Sequence, residues 1–174
     1  MSELVKRPTL VPARPTGVES RASSLREVLA FALADEAYGF PLARVREILK
    51  LPPITPVPRA PRHVLGIVSV RGVITTVVDL RRLMRVEERP PEKQARILLV
   101  DVGGEVLGAL VDEVLQVHRL AEDEVELAGV VGGDLSDHVI GVGRPRARRD
   151  QDHAGRELIV LLDPEPLFAR LERG

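Results

Sequence analysis

An all-β, barrel-like fold is what this 174-residue sequence predicts, on three observations. Fourteen prolines and fourteen glycines are many for a helical bundle. Val, Leu and Ile supply most of the apolar content and fall in short runs divided by turn residues, which suits strands. No strand–helix–strand alternation occurs, which argues against a parallel α/β sheet. A chain of this size can fold as one domain, or as two small lobes around a common core, without a disulfide or metal. It has no cysteine, which excludes a disulfide scaffold, a thiol nucleophile and Cys-ligated metal sites. Twenty-five basic against 26 acidic residues leave a net charge of -1, and aromatics make up only 2%, so neither phosphate neutralisation nor base stacking is favoured. No apolar run is long enough to cross a membrane as a helix, and no apolar leader opens the chain; a cytoplasmic protein is expected.

Residues 1–24, rich in Pro, Arg, Ser and Thr, are expected to form a disordered tail. Leu29, Phe31 and Leu33 alternate with small residues, Ala34 to Ala37 supply a turn, and Tyr38, Phe40 and Leu42 alternate again: a hairpin. Leu42, Val45, Ile48 and Leu49 then change to helical spacing, predicting a short helix that Pro52 and Pro53 end. Five prolines within 52–61 predict a stiff, extended connector. Val64 to Val70 and Val73 to Asp79 read as strands around an Arg71-Gly72 turn, and their nearly continuous apolar run predicts burial on both faces. Asp79 is placed to cap a helix over Leu80, Leu83 and Met84. After a charged loop over 85–95, Arg96 to Val102 and Glu105 to Asp112 form a second hairpin around Gly103-Gly104, and Val114 to Val117 continue as strand after a bulge. Weaker strands are predicted over Val125 to Val131 and Val139 to Val142. A mobile basic loop follows over 144–156, then a strand over Leu158 to Leu162. Asp163-Pro164 caps a last helix whose inner face is Leu167, Phe168 and Leu171.

The chemistry-bearing residues form no catalytic set. His63, His118, His138 and His153 show no helical metal-pair spacing. The glycines at 129, 132 and 133, and at 141 and 143, open no helix after a strand and read as turns rather than phosphate loops. Asp134, Asp137 and His138 offer a polar loop without the spacing of an acid–base pair. No Gly-x-Ser-x-Gly elbow occurs. What survives is Arg71 on the tip of an apolar hairpin, suited to bidentate contact with a carboxylate, and a set of apolar strands whose edges can dock another protein. Binding rather than catalysis is expected, with no cofactor and no metal.

A set of motifs runs in order along the chain. They begin with Phe31-Ala-Leu-Ala-Asp-Glu-Ala-Tyr38-Gly39-Phe40 and pass through Val45-Arg-Glu47-Ile48 and Val57-Pro58-Arg-Ala-Pro61. They are most specific in Gly66-Ile-Val-Ser-Val-Arg71-Gly72 with its return to Asp79-Leu80, and resume at Ile97-Leu-Leu-Val, Gly108-Ala-Leu-Val-Asp112-Glu-Val114 and Leu161-Leu-Asp163. Together these motifs resemble a CheW-type chemotaxis adaptor, and the resemblance implies a mainly β fold over residues 25–174: two SH3-like five-stranded β-barrels sharing a core, with short helices. It implies a non-catalytic adaptor that couples the cytoplasmic tips of chemoreceptors to the regulatory domain of a CheA-type histidine kinase, recruited to receptor arrays, with other CheW-like domains as further partners. Receptor-contact positions of the family fall on Val45, Glu47, Gly66 and Arg71. The stretch Val111, Asp112, Glu113 and Val114 falls on the kinase-facing lobe. The sequence departs from the family pattern at Ser69, where Asn is usual, at Thr75-Thr76, where a proline is usual, and in its longer basic loop and tail. The competing reading is a small-molecule-binding β-barrel without a signalling role. Nucleic-acid binding through the basic segments is a third, opposed by the neutral net charge.

Overall fold

The alternating runs become eleven strands, two short α-helices and two 3₁₀ turns among the described residues. The computed structural model describes residues 27–129, 137–146, 158–169 and 171. The expected tail over 1–24, Asp134, and residues 147–156 of the expected basic loop lie outside them. In chain order the strands are β1 (Glu27–Leu33), β2 (Glu36–Pro41), β3 (Val45–Lys50), β4 (Val64–Val70) and β5 (Val73–Asp79), followed by helix α1 (Leu80–Met84). Then come β6 (Arg96–Val102), β7 (Glu105–Val111), β8 (Glu113–Arg119), β9 (Val125–Leu127), β10 (Val139–Gly143), β11 (Ile159–Leu162) and helix α2 (Pro164–Phe168).

The strands form two sheets, one in the order β8-β1-β2-β11-β10-β9 and the other in the order β3-β6-β7-β5-β4. Period-2 alternation explains how both can be buried on two sides. In β1, Val28 and Ala30 enter a core of the first sheet with Leu120, Ile159 and Leu161. Their neighbours Leu29, Phe31 and Leu33 enter a larger core between the sheets. In the second sheet Val77, Ile97, Leu99 and Leu110 face their own core, while Val78, Leu98, Val100, Ala109 and Val111 join the common one. Phe31 and Phe40 pack there with tilted rings at a centroid distance of 4.9 Å, and Phe168 of α2 closes on Phe40 at 6.4 Å. Each sheet thus wraps a small core of its own, and a third core binds the two. This is a two-lobed SH3-like architecture with a shared interior.

Both predicted helix caps form: Asp79 accepts from the Arg81 and Arg82 amides, and Asp163 from that of Glu165. Four local expectations are corrected. The predicted helix over Leu42 to Leu49 is a single 3₁₀ turn, Leu42–Arg44, followed by strand β3. Eight residues make a marginal helix, whereas pairing with β6 satisfies this backbone and leaves Ile48 exposed rather than inward. The hairpin β4–β5 is not buried throughout. Its β5 strand meets β7 only from Val77 to Asp79, so the tip projects, with Val73 and Ile74 each 64% exposed. The first hairpin turns on two residues, Ala34 and Asp35, rather than four. Gly143, expected in a turn, is the last residue of β10, while Gly141 lies within it, as the strand predicted over Val139 to Val142 has it, with the backbone of Glu126 close beside.

Candidate functional site

The β4–β5 hairpin turns on Arg71 and Gly72, at φ +50° and +81°, with Val70 and Val73 paired across the turn. Two successive positive φ values match the twist of the flanking strands, and glycine at the second position relieves the strain there. This geometry lifts Arg71 clear of the sheet, leaving its side chain 78% exposed. Its guanidinium nonetheless has a defined orientation. Arg71 Nη1 donates to Glu47 Oε2 at 2.7 Å and Nη2 to Glu47 Oε1 at 2.8 Å, a planar two-bond fork. Glu47 belongs to β3, and β3 and β4 are the opposite edges of the five-stranded sheet. The pair therefore links the hairpin tip beside one edge strand to the edge strand on the other side of the sheet.

Bulges aim these residues. Between Val45 and Glu47 the β3–β6 register slips, so that Val45 opposes Val100 and Glu47 opposes Leu99 with Arg46 extra. Val45 packs its half-buried side chain on the common core. Arg46 turns out to the Asp101 carboxylate, and with the Gly104 amide it holds that carboxyl below the ordinary aspartate range. A second slip lies between Val64 and Gly66. Gly66 is buried, at φ +148°, beside the proline-rich connector. Of the four residues expected on a receptor-facing side, the fold directly joins Glu47 and Arg71. Val45 lies two residues along β3, and Gly66 lies on the same hairpin as Arg71.

The stretch from Val111 to Val114 is mostly turned inward. Val111 is wholly buried in the common core, and Val114 is half-buried against it. Asp112 sits where the chain passes from β7 in one sheet to β8 in the other. Its carboxylate accepts from the Ala34 amide at 2.6 Å and pairs with Arg81, whose side chain is 8% exposed. Arg81 also donates to the Arg89 carbonyl. Asp112 thereby joins the β1–β2 turn of one sheet to α1 of the other, and it stabilises the positive φ of Ala34. Glu113 alone of the four presents an exposed side chain. Beyond it on β8, Leu115 and Val117 are exposed apolar residues.

No group of three or more His, Asp or Glu among the described residues is arranged to hold a metal. Asp137 is exposed, while His138 is buried and gives its carbonyl to the Asp163 amide. Burial pushes the carboxyl of Asp79 upward, against the amides of Arg81 and Arg82 and the nearby guanidinium groups, but its oxygens are spent on capping α1. Burial, with help from the Glu36 carboxylate that accepts its hydroxyl, raises the Tyr38 phenol.

Residues 27–172 match the family model described as a CheW-like domain. The chain belongs to the CheW-like family. A CheW chemotaxis protein of Rhizobium meliloti is 29% identical over 148 residues, 85% of this chain and 90% of that protein. Protein FrzA of Myxococcus xanthus is 29% identical over 134 residues, 76% of this chain and 82% of the relative. The crystal structure of the scaffolding protein TtCheW from Thermoanaerobacter tengcongensis superposes with a TM-score of 0.70 at 29% identity, covering 82% of this chain and 92% of the other. These matches give the chain a CheW-like fold and the function class of a non-catalytic adaptor in chemotaxis signalling. The expectations missed the direct pairing of Glu47 with Arg71 and the internal duty of Asp112. Opposite charges 24 residues apart leave no local signal of a contact.

Proposed function

We propose that this chain couples chemoreceptor tips to a CheA-type histidine kinase by binding both, in the cytoplasm and within receptor arrays. The receptor side is the clasped region of Val45, Glu47, Gly66 and Arg71. The kinase side is the lobe reached through Val111, Asp112, Glu113 and Val114, with Glu113 and the apolar residues of β8 outward and Val111 and Asp112 holding the strand in place. Other CheW-like domains are further partners of the same kind of surface. The observation that carries the reading is the Arg71–Glu47 fork at the projecting hairpin, flanked by Val73 and Ile74 at 64% exposure. Exposed apolar residues beside an oriented, partly satisfied ion pair supply both the apolar contact and the directional polar contact of a protein interface.

Among the described residues no helix is long and apolar enough to cross a membrane. The test is reconstitution of the chain with a receptor cytoplasmic fragment and a CheA-type kinase from the same genome. The expected result is a three-component complex in which kinase activity depends on the receptor only when the chain is present. Absence of binding to both partners would refute the proposal.

A further inference from the structure

Gly66 has no side chain to offer a partner, and its backbone is buried. Three features show what the position does instead. Its φ of +148° lies outside the range that side-chain-bearing residues readily adopt. A Cβ there would stand 2.1 Å from the Thr55 carbonyl oxygen and 2.9 Å from a methyl of Ile54. Thr55 is tied to the neighbouring residue of β4 by reciprocal bonds, Thr55 N to Ile67 O and Ile67 N to Thr55 O, both 2.9 Å. The bulge at Gly66 thus lets the proline-rich connector lie on the outer edge of β4, satisfying amides and carbonyls that an edge strand otherwise exposes. The seated connector carries Val57 at 41% exposure, and Ile54 lines a cleft of about 480 Å³ with Leu51, Leu65, Arg82 and Pro90.

We infer that Gly66 serves receptor binding as a positioning residue: it seats the 52–58 connector on β4, and the connector, not Gly66, meets the receptor. This rests on the receptor-side reading above and assigns the contact to a segment outside the four named positions. Proline prevents a backbone N–H at Thr55, so Thr55→Pro unseats the connector while leaving Gly66 in place.

The experiment compares Gly66→Ala, Thr55→Pro and the double variant. Hydrogen exchange at the Ile67 amide is measured in the free protein, and affinity is measured for a receptor cytoplasmic fragment. Each single variant is expected to speed Ile67 exchange and weaken binding by about tenfold, and the double variant is expected to bind no more weakly than the weaker single, since both act through one element. Lost binding in Gly66→Ala with Ile67 protection intact would overturn the inference, as would losses that multiply in the double variant, or lost protection with binding unchanged. Should Gly66→Ala fail to fold, Thr55→Pro alone decides between these outcomes. If the wild-type chain binds no receptor fragment, the receptor-side reading fails, and the exchange data still report whether Gly66 seats the connector.

Discussion

Two arginine–carboxylate pairs, Arg71–Glu47 and Arg81–Asp112, do opposite work. The first joins side chains 78% and 30% exposed at the rim of one sheet. The second joins side chains 8% and 21% exposed where the chain crosses between sheets. Water screens the first, so its share of folding stability is about 0.2–1 kcal/mol. The second is largely withdrawn from water, so breaking it by removing one partner leaves a mostly buried charge, at up to about 3–5 kcal/mol. The same chemistry is therefore a structural tie at the second place, and at the first it is left free for the recognition role proposed above. Exposure decides which.

The largest test of this contrast is Arg81→Ala. It should lower the free energy of unfolding in urea by up to about 3–5 kcal/mol. Replacing both partners, with Arg81→Met and Asp112→Asn, should recover most of that loss, because the amide oxygen of Asn still accepts from Ala34 and no charge is stranded. Equal losses in the single and double variants would show that the ion pair is not the tie. Arg71→Ala should cost no more than about 1 kcal/mol while weakening receptor coupling of the kinase. The substitution Ile74→Asp should alter stability by about 0.5 kcal/mol or less, since the site is already in water, yet reduce binding of a partner fragment measured by calorimetry.

The smallest effect is a pH dependence. Arg46 and the Gly104 amide depress the Asp101 carboxyl, so the folded state binds the proton less readily than the unfolded one. The resulting stability is present above the ordinary aspartate value of about 3.9 and is lost as pH falls through the lower folded value. Replacing Arg46 with Met should flatten that acid limb in melting curves taken against pH. An unchanged slope would remove Arg46 as its cause.

Much of the fold was legible because period-2 patterning is a local signal. Leu29, Phe31 and Leu33 face one core while Val28 and Ala30 face another, and alternation alone exposes that division. The caps at Asp79 and Asp163 were equally local. The β3 segment departs from the expected helix because Val45 and Leu49, four residues apart, share a face in a helix and in a strand alike, and pairing with β6 decides between them. The site was legible only in part. Arg71 announces itself by its place at a turn, but its partner lies on the opposite sheet edge, and only tertiary structure unites them. Asp112 and Gly66 were identified as positions, yet their physical duties, tying two sheets and seating a connector, depend on Ala34, Arg81 and Thr55, which sequence alone does not place nearby.

The central claim is that the clasped hairpin recognises a partner without holding the fold together. Titrating wild-type and Arg71→Ala proteins against a receptor cytoplasmic fragment, with Tm read on the same samples, tests it most directly. The account predicts binding weakened by about tenfold or more with Tm lowered by no more than about 3 °C. Undiminished binding alongside a large fall in Tm would contradict it and return Arg71 to a structural role.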